Sequence, residues 1–326
     1  MPIRLVLLSA AHVHAPSYAA CAAAHPDAVL AGVWDDDFAR GSEFSKQWSV
    51  PFFGSLEDAL GSADAVVIAS ENTKHRDLAL AAAKAGKHVL CEKPLATTVE
   101  DAEAMIQAAK EAGVNLMTAF PCPFSPAFHR LVSRLESGEL GSIVSICATN
   151  QGSCPMGWFV DPAASGGGAI MDHTVHVADL FHRLLKAAPR QVHATASHNL
   201  RGLEVEDCGM LTLRYDSGVF CSLDSSWSVH SSFKTWGNVT MKVVCEKGLV
   251  EVDLFQQSLD YFHTGSKSHT VSGFGSNLDQ LMVNEFLASI TEKRPPKVTG
   301  EDGLAALKVA LAAYDSVKKG EPCPLT

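Results

Sequence analysis

Apolar and polar positions change their rhythm about a third of the way along the chain of 326 residues. Over the first third, short runs that are apolar throughout alternate with stretches of helical periodicity. Strands are predicted at 3–8 and 29–34 with an alanine-rich helix at 18–24 between them, then a short strand and turn at Pro51-Phe52-Phe53-Gly54 and a helix at 56–60. Further strands follow at 65–69, 88–91 and 115–119, separated by helices at 74–85 and 99–112 that stop at Gly86 and Gly113. Strands apolar on both faces and parted by helices ending in glycine belong to a parallel sheet covered on both sides. The pattern predicts an α/β chain that opens with a doubly wound nucleotide-binding domain.

The alternation breaks at Pro121-Cys122-Pro123. After a helix at 126–136 come longer strands that alternate apolar with polar, at 143–149, 192–196, 209–215, 219–226, 238–245 and 249–254. Such strands predict a large, mostly antiparallel sheet with one open face, and helices at 172–185, 278–292 and 303–318 complete an α+β domain. The expected domains are 1–122 for the nucleotide and 123–326 for substrate binding and oligomerisation, with helix 303–318 packing near the first.

Composition then removes whole classes of function. With 47% hydrophobic residues the chain exceeds what one core usually serves. A formal net charge of -10, and no run of basic residues, argue against a nucleic-acid partner. The apolar run at 3–11 is too short to span a bilayer and lacks a cleavage pattern, so no membrane partner and a cytoplasmic location are expected. The nine cysteines are scattered, form no C-x-x-C pair, and read as reduced thiols.

Two clusters carry chemistry. Glu92-Lys93-Pro94 ends the apolar run 88–91, which places a lysine at the carboxyl end of a parallel strand, where ligands of such sheets bind. Downstream, Gly166-Gly167-Gly168 leads into Asp172 and His176, one helical turn apart on one face. Oxidising a carbinol needs a base for the hydroxyl proton, a donor or cation on the oxygen, and a hydride acceptor. Lys93 and His176 supply the first two, in either assignment. Histidine titrates near neutrality and is the first choice of base, with Asp172 orienting it or binding an adjacent hydroxyl and Lys93 polarising the reacting oxygen. The plain structural alternative is a solvated Lys93 before a turn, a capping Asp172 and a packed His176.

Over nearly its full length the chain resembles the Gfo/Idh/MocA family of dehydrogenases. The likeness rests on Glu92-Lys93-Pro94, Asn72-Thr73-Lys74-His75, the glycine run before Asp172 and His176, and the helix start Gly300-Glu301-Asp302-Gly303-Leu304. It implies a Rossmann domain, a substrate between that domain and the open sheet, and hydride passing between a secondary alcohol of a sugar or cyclitol and a nicotinamide. Substrate contacts are expected from Lys93, Trp158, Asp172, His173 and His176. Cofactor contacts are expected from Ser9, Ala10, Ala11, His12, His14, Asp35, Asp36, Ser70, Asn72, His75, Glu92 and Lys93. An acid after the second strand grips an adenosine ribose and repels a 2'-phosphate, so Asp35, with Asp36 next, favours NAD over NADP.

The chain departs from the family at several points. The first turn should read G-x-G-x-x-G, yet Ser9-Ala10-Ala11-His12-Val13-His14-Ala15 has no glycine; its small residues permit close approach, and the left-handed backbone that glycine allows is not expected. His12 and His14 can bind phosphate, cover the sugar end of the cofactor, or simply pack. Pro123 stands where relatives often have arginine. His173 creates an Asp-His-x-x-His cluster that, with His12, His14 or His230, offers metal ligands, but the spacing is no zinc signature and no cysteine pair supports one, so no metal is expected. Trp158-Phe159 and the Trp227…Trp236 pair offer faces for sugar stacking or serve as core. The reading is an NAD-dependent oxidoreductase of a sugar, sugar derivative or cyclitol, forming a homodimer or homotetramer through the open sheet. The alternatives are a redox-neutral glycosidase or lyase that recycles bound NAD, and a non-catalytic sugar- or nucleotide-binding regulatory homologue.

Overall fold

The computed structural model describes residues 1–230, 232–233, 235, 237–255, 257–263, 265–273 and 275–325. Its first part is built on five parallel strands: β1 (Ile3–Leu8), β2 (Ala28–Trp34), β3 (Ala65–Ile68), β4 (His88–Cys91) and β5 (Leu116–Thr118), in the order β2-β1-β3-β4-β5. Every residue of β3 is buried, as an apolar run in a sheet covered on both faces must be. The helices between them are α1 (Ala15–Ala24), α2 (Phe38–Trp48), α3 (Leu56–Ser62), α4 (His75–Lys84) and α5 (Val99–Ala112). The order turns back at β1 and β3, so the carboxyl ends of these strands flank the crevice in which open parallel sheets bind ligands.

Helix α2 was not expected from the pattern. Of its residues only Gly41 and Phe44 are buried, too few to print a helical period. Its start is fixed by Asp37, whose carboxylate accepts the N–H groups of Ala39 and Arg40. Gly41 is required there, because a Cβ would stand 2.5 Å from the Phe52 ring and 2.7 Å from Asp35 Cβ.

The chain divides into two units. Met1–Pro121, Pro155–Gly167 and Asp279–Lys308 form the first; Cys122–Cys154, Gly168–Leu278 and Val309–Thr326 form the second. After α6 (Pro126–Glu136) and β6 (Ile143–Gln151), residues 155–167 return to the first unit with a 3-10 turn (Gly157–Val160) and the short α7 (Pro162–Ser165). Next come α8 (Ala169–Leu185), β7 (Gln191–Ser197), β8 (Cys208–Arg214), β9 (Phe220–Ser226), β10 (Val239–Cys245) and β11 (Gly248–Asp253). A hairpin, β12 (Ser258–His263) with β13 (Ser268–Gly273), was not foreseen. Helix α9 (Leu278–Thr291) follows, then α10 (Gly300–Lys319), whose residues to Lys308 lie in the first unit and the remainder in the second, and β14 (Cys323–Pro324).

The second unit's sheet has the order β11-β10-β6-β9-β8-β7-β14, antiparallel except for the parallel pair β6 and β9. Its exposed face shows the alternation read from the sequence: β8 buries Gly209, Leu211 and Leu213 and exposes Met210, Thr212 and Arg214. Helix α8 packs on the covered face and is buried from Ala169 through Phe181. It begins three residues before the predicted start, for a reason that belongs to the site. Among the described residues no helix is long and apolar enough to cross a membrane.

The seat of α8 depends on Gly209, where an added Cβ would lie 2.4 Å from Ile170 Cγ1. Overpacking of this kind typically costs about 1–3 kcal/mol. Gly209→Ala is expected to lower the stability to urea unfolding by that order, and an unchanged midpoint would show that Ile170 yields freely.

Candidate functional site

In the first unit the loops after β1, β2, β3 and β4 are tied together by side chains. Glu92, at the end of β4, is fully buried, and an ionised carboxylate without donors there would be costly. Its Oε1 accepts Nδ1–H of His14 at 2.8 Å and the Tyr18 hydroxyl at 2.5 Å, while Oε2 accepts the backbone N–H of Lys93 at 3.0 Å. His12 Nδ1 lies 3.2 Å from Oε1. Burial alone would raise the Glu92 carboxyl, but His12, His14 and Lys93 outweigh it and hold the group well below the carboxylate range. Burial likewise works against a charged His14, and Glu92 overcomes it, raising the imidazole above its ordinary value. Tyr18 is pushed well above its ordinary value by burial and by Glu92.

His75 makes a second tie. Its ring nitrogens lie 2.9 Å from Pro94 O and 3.4 Å from Ser70 O, joining the loops after β3 and β4, and burial pushes the imidazole down. Ser70 is buried with its hydroxyl on Glu71 O. Asn72 donates to Ser165 O at 2.8 Å, and its buried Oδ1 has no hydrogen-bond partner among the described residues. Trp158 donates its indole N–H to Ala11 O at 3.0 Å and stacks on Phe159, whose ring meets His12 edge-on. Trp158, expected on the substrate, thus seats the returning segment on the loop after β1.

That loop corrects one expectation. Ser9 has φ +68, the left-handed conformation that a glycine-free turn was not expected to adopt. Its hydroxyl makes it possible: Oγ accepts the N–H of Ala11 at 3.2 Å and donates to Asp35 at 3.3 Å. Asp35 also accepts the N–H of Ala10 at 2.7 Å and is held by Arg40, and its side chain is 0% exposed. Asp36, 41% exposed, pairs with Arg40 and with Lys74.

In the second unit the glycine run delivers α8. The first four N–H groups of a helix have no partner within it, and here the groups of residues 168–171 are all met from outside the helix. Glu206 Oε1 accepts from Gly168 at 3.1 Å and Ile170 at 2.8 Å, and Glu206 O accepts from Ala169 at 2.9 Å. The Tyr314 oxygen accepts from Met171 at 3.1 Å and donates its own proton to Glu206 at 2.7 Å. Burial pushes the Glu206 carboxyl up against the pull of these donors. Gly168 is obligatory, since a Cβ would lie 2.0 Å from Glu206 O; the close approach expected of the glycine run is to protein backbone. This clamp starts the helix at Ala169.

Asp172, His173 and His176 lie on the clamped helix, all largely buried. Asp172 Oδ2 accepts Nε1–H of Trp227 at 2.8 Å and lies 3.2 Å from His173 Nε2. His173 Nδ1 faces the carbonyls of Asn150 and Ser226, so it carries a hydrogen. Trp227 is core as well as Asp172's partner, while Trp236 lies outside the described residues. Reading the sequence missed Tyr18, Arg40, Glu206 and Tyr314, and singled out Trp227 only as a stacking face or core. Only Tyr18, one helical turn after His14, had a local signal.

Residues 10–120 match the sequence profile described as the oxidoreductase family GFO_IDH_MocA with an NAD-binding Rossmann fold, and residues 128–251 match the GFO/IDH/MocA C-terminal domain. A 1,5-anhydro-D-fructose reductase of Ensifer adhaerens is 31% identical over 82% of each chain. The chain belongs to the Gfo/Idh/MocA family. It is an NAD(P)-dependent oxidoreductase with an NAD-binding Rossmann domain in its first unit. A D-xylose 1-dehydrogenase (NADP(+)) of Haloferax volcanii is 30% identical over 89% of this chain and 90% of its own. The crystal structure of GenD2 from gentamicin A biosynthesis, in complex with NAD, superposes with a TM-score of 0.90 over 100% of this chain and 97% of its own; at 24% identity that likeness concerns the fold.

The His14 and Glu92 pair gives this oxidoreductase a pH signature. His14, raised above its ordinary 6.5, contributes stability that is complete below pH 6.5 and is lost as pH climbs through the raised value; Glu92, depressed below its ordinary 4.5, contributes above pH 4.5. The difference in thermal midpoint between the parent and His14→Gln is therefore expected to shrink as pH rises from about 6 to about 9. A constant difference over that range would mean that His14 does not change charge within it.

Proposed function

We propose that the enzyme oxidises a ring secondary hydroxyl of a sugar, sugar derivative or cyclitol, with NAD preferred over NADP. The observation that carries the reading is the clamped start of α8: two backbone-binding groups, Glu206 and Tyr314, fix the turn that presents Asp172 and His176. Fixing a proton acceptor in advance avoids part of the ordering cost of reaction. The names of the relatives, a 1,5-anhydro-D-fructose reductase and a D-xylose 1-dehydrogenase, support a carbohydrate substrate.

The dinucleotide, when bound, supplies the hydride acceptor. The first unit fits it: small residues at Ala10 and Ala11, a left-handed Ser9, and a buried amide oxygen on Asn72 with no donor among the described residues. His176 takes the hydroxyl proton. Lys93, held through its backbone N–H by Glu92, keeps its ammonium on the reacting oxygen, and Asp172, fixed by Trp227, binds a neighbouring hydroxyl or orients the base. The exposed face of the second unit's sheet serves self-association. Phe220, Val244 and Leu249 lie in one row across β9, β6, β10 and β11, with Met210 on the same face.

Lys93→Ala and His176→Ala are each expected to lower turnover by about two to four orders of magnitude, read as NADH formation on a panel of sugars and cyclitols with the fold checked by circular dichroism. Near-parent turnover in either variant would withdraw that residue's role. Substrate consumed without net NADH would move the reading to redox-neutral chemistry.

The cluster His12, His14 and Glu92 has ligand atoms within 4.8 Å of one another. We read it as protonic, because Glu92 Oε1 already accepts His14 and Tyr18. Turnover is expected to survive exhaustive chelation, with less than one metal ion per chain by elemental analysis. One ion per chain, lost together with activity, would refute this.

A further inference from the structure

We propose that NAD selectivity in this chain is set by the capture of Arg40, with Asp35 acting as the captor and not as a ribose ligand. The inference rests on the NAD preference proposed above and assigns its cause. Asp35 has neither surface nor valence left for a ribose hydroxyl. Its two oxygens, with about four lone-pair positions, face five donor groups: Ser9 Oγ at 3.3 Å, Ala10 N at 2.7 Å, Asp37 N at 2.9 Å, and Arg40 Nε at 2.9 Å and Nη2 at 2.7 Å. The side chain is 0% exposed, while Arg40 over it is 28% exposed. The group that meets solvent at the end of β2 is thus an arginine.

Free arginine forks bind phosphate in bidentate fashion, and an uncommitted Arg40 would welcome a 2'-phosphate. This one is committed. Besides its two bonds to Asp35, it pairs with Asp36 Oδ1 at 3.0 Å and reaches Glu71 Oε1 at 3.5 Å. The nearby Lys74 is held likewise, by Asp36 at 2.5 Å and Glu71 at 3.0 Å. Three carboxylates thus enclose two cations and leave one net negative charge, which repels a phosphate dianion while both of these cations are occupied. All five residues lie in the first unit.

The test is calorimetric titration of the purified full chain with NAD and with NADP. The parent should bind NAD more tightly. Asp35→Asn keeps one carbonyl oxygen for Ala10 N–H but removes the charge that holds the fork. It should gain NADP affinity by about tenfold or more and change NAD affinity by no more than about threefold. Asp35→Asn with Arg40→Gln should lose the gain. A parent that prefers NADP, or makes no distinction, would sink the NAD reading and this inference with it. A parent that prefers NAD, beside an Asp35→Asn variant that loses NAD affinity tenfold without an Arg40-dependent gain for NADP, would overturn this inference alone and restore Asp35 as a ribose ligand. Should Asp35→Asn fail to fold by circular dichroism, Glu71→Gln replaces it: a smaller rise in NADP affinity supports capture, and no rise overturns it.

Discussion

A carboxylate taken wholly out of water must be surrounded by donors or positive charge, because otherwise its desolvation costs several kcal/mol (about that order for a buried ion). Glu92 is that group in the first unit, and its requirement organises the loops around it. The donors come from three places: His14 on the loop after β1, Tyr18 on α1, and the N–H of Lys93. Since β3 lies between β1 and β4 in the sheet, the carboxylate bridges two loops that the strands themselves do not join. His75 adds the bond from the β3 loop to Pro94. Lys93 therefore stands on a backbone fixed on both sides by buried side chains.

The second unit reaches the same end by a related device. Glu206 is also a buried carboxylate satisfied by backbone N–H groups, but the groups belong to a helix end, where the macrodipole adds to the attraction. Tyr314 completes the set from a distant helix. In both units the residues suited to proton chemistry sit beside, and not within, the acid that fixes their backbone.

Much of the first unit's fold was legible because its strands bury both faces, and a continuous apolar run of four or five residues is hard to misread. What escaped had no such imprint. Helix α2 buries two residues, and the return of 155–167 to the first unit depends on single bonds such as Trp158 to Ala11 O and Asn72 to Ser165 O, which leave no local pattern. The sequence puts Lys93 just past a strand and Asp172 and His176 on a helix, and the structure has them there. Glu206 and Tyr314 could not be picked out, since they act on a helix start 36 and more than 100 residues away in sequence. Asp35 was found by position, yet its covering by Arg40 is a fact of packing that no spacing announces.

The glycine-free loop shows how one substitution commits others. A non-glycine residue in the left-handed region costs about 1–2 kcal/mol, and a net hydrogen bond returns about 0.5–1.5 kcal/mol. Ser9 accepts the N–H of Ala11 and a 3.3 Å bond from Arg40, and donates to Asp35, so its hydroxyl can offset the backbone cost only if those partners stay in place. Glycine asks nothing of its neighbours. Serine at this position ties the shape of the turn after β1 to the acid and arginine at the end of β2, which a glycine would leave independent of it. The loop without glycines is therefore one network with the Asp35 and Arg40 pair, and neither part is free to vary without moving the other.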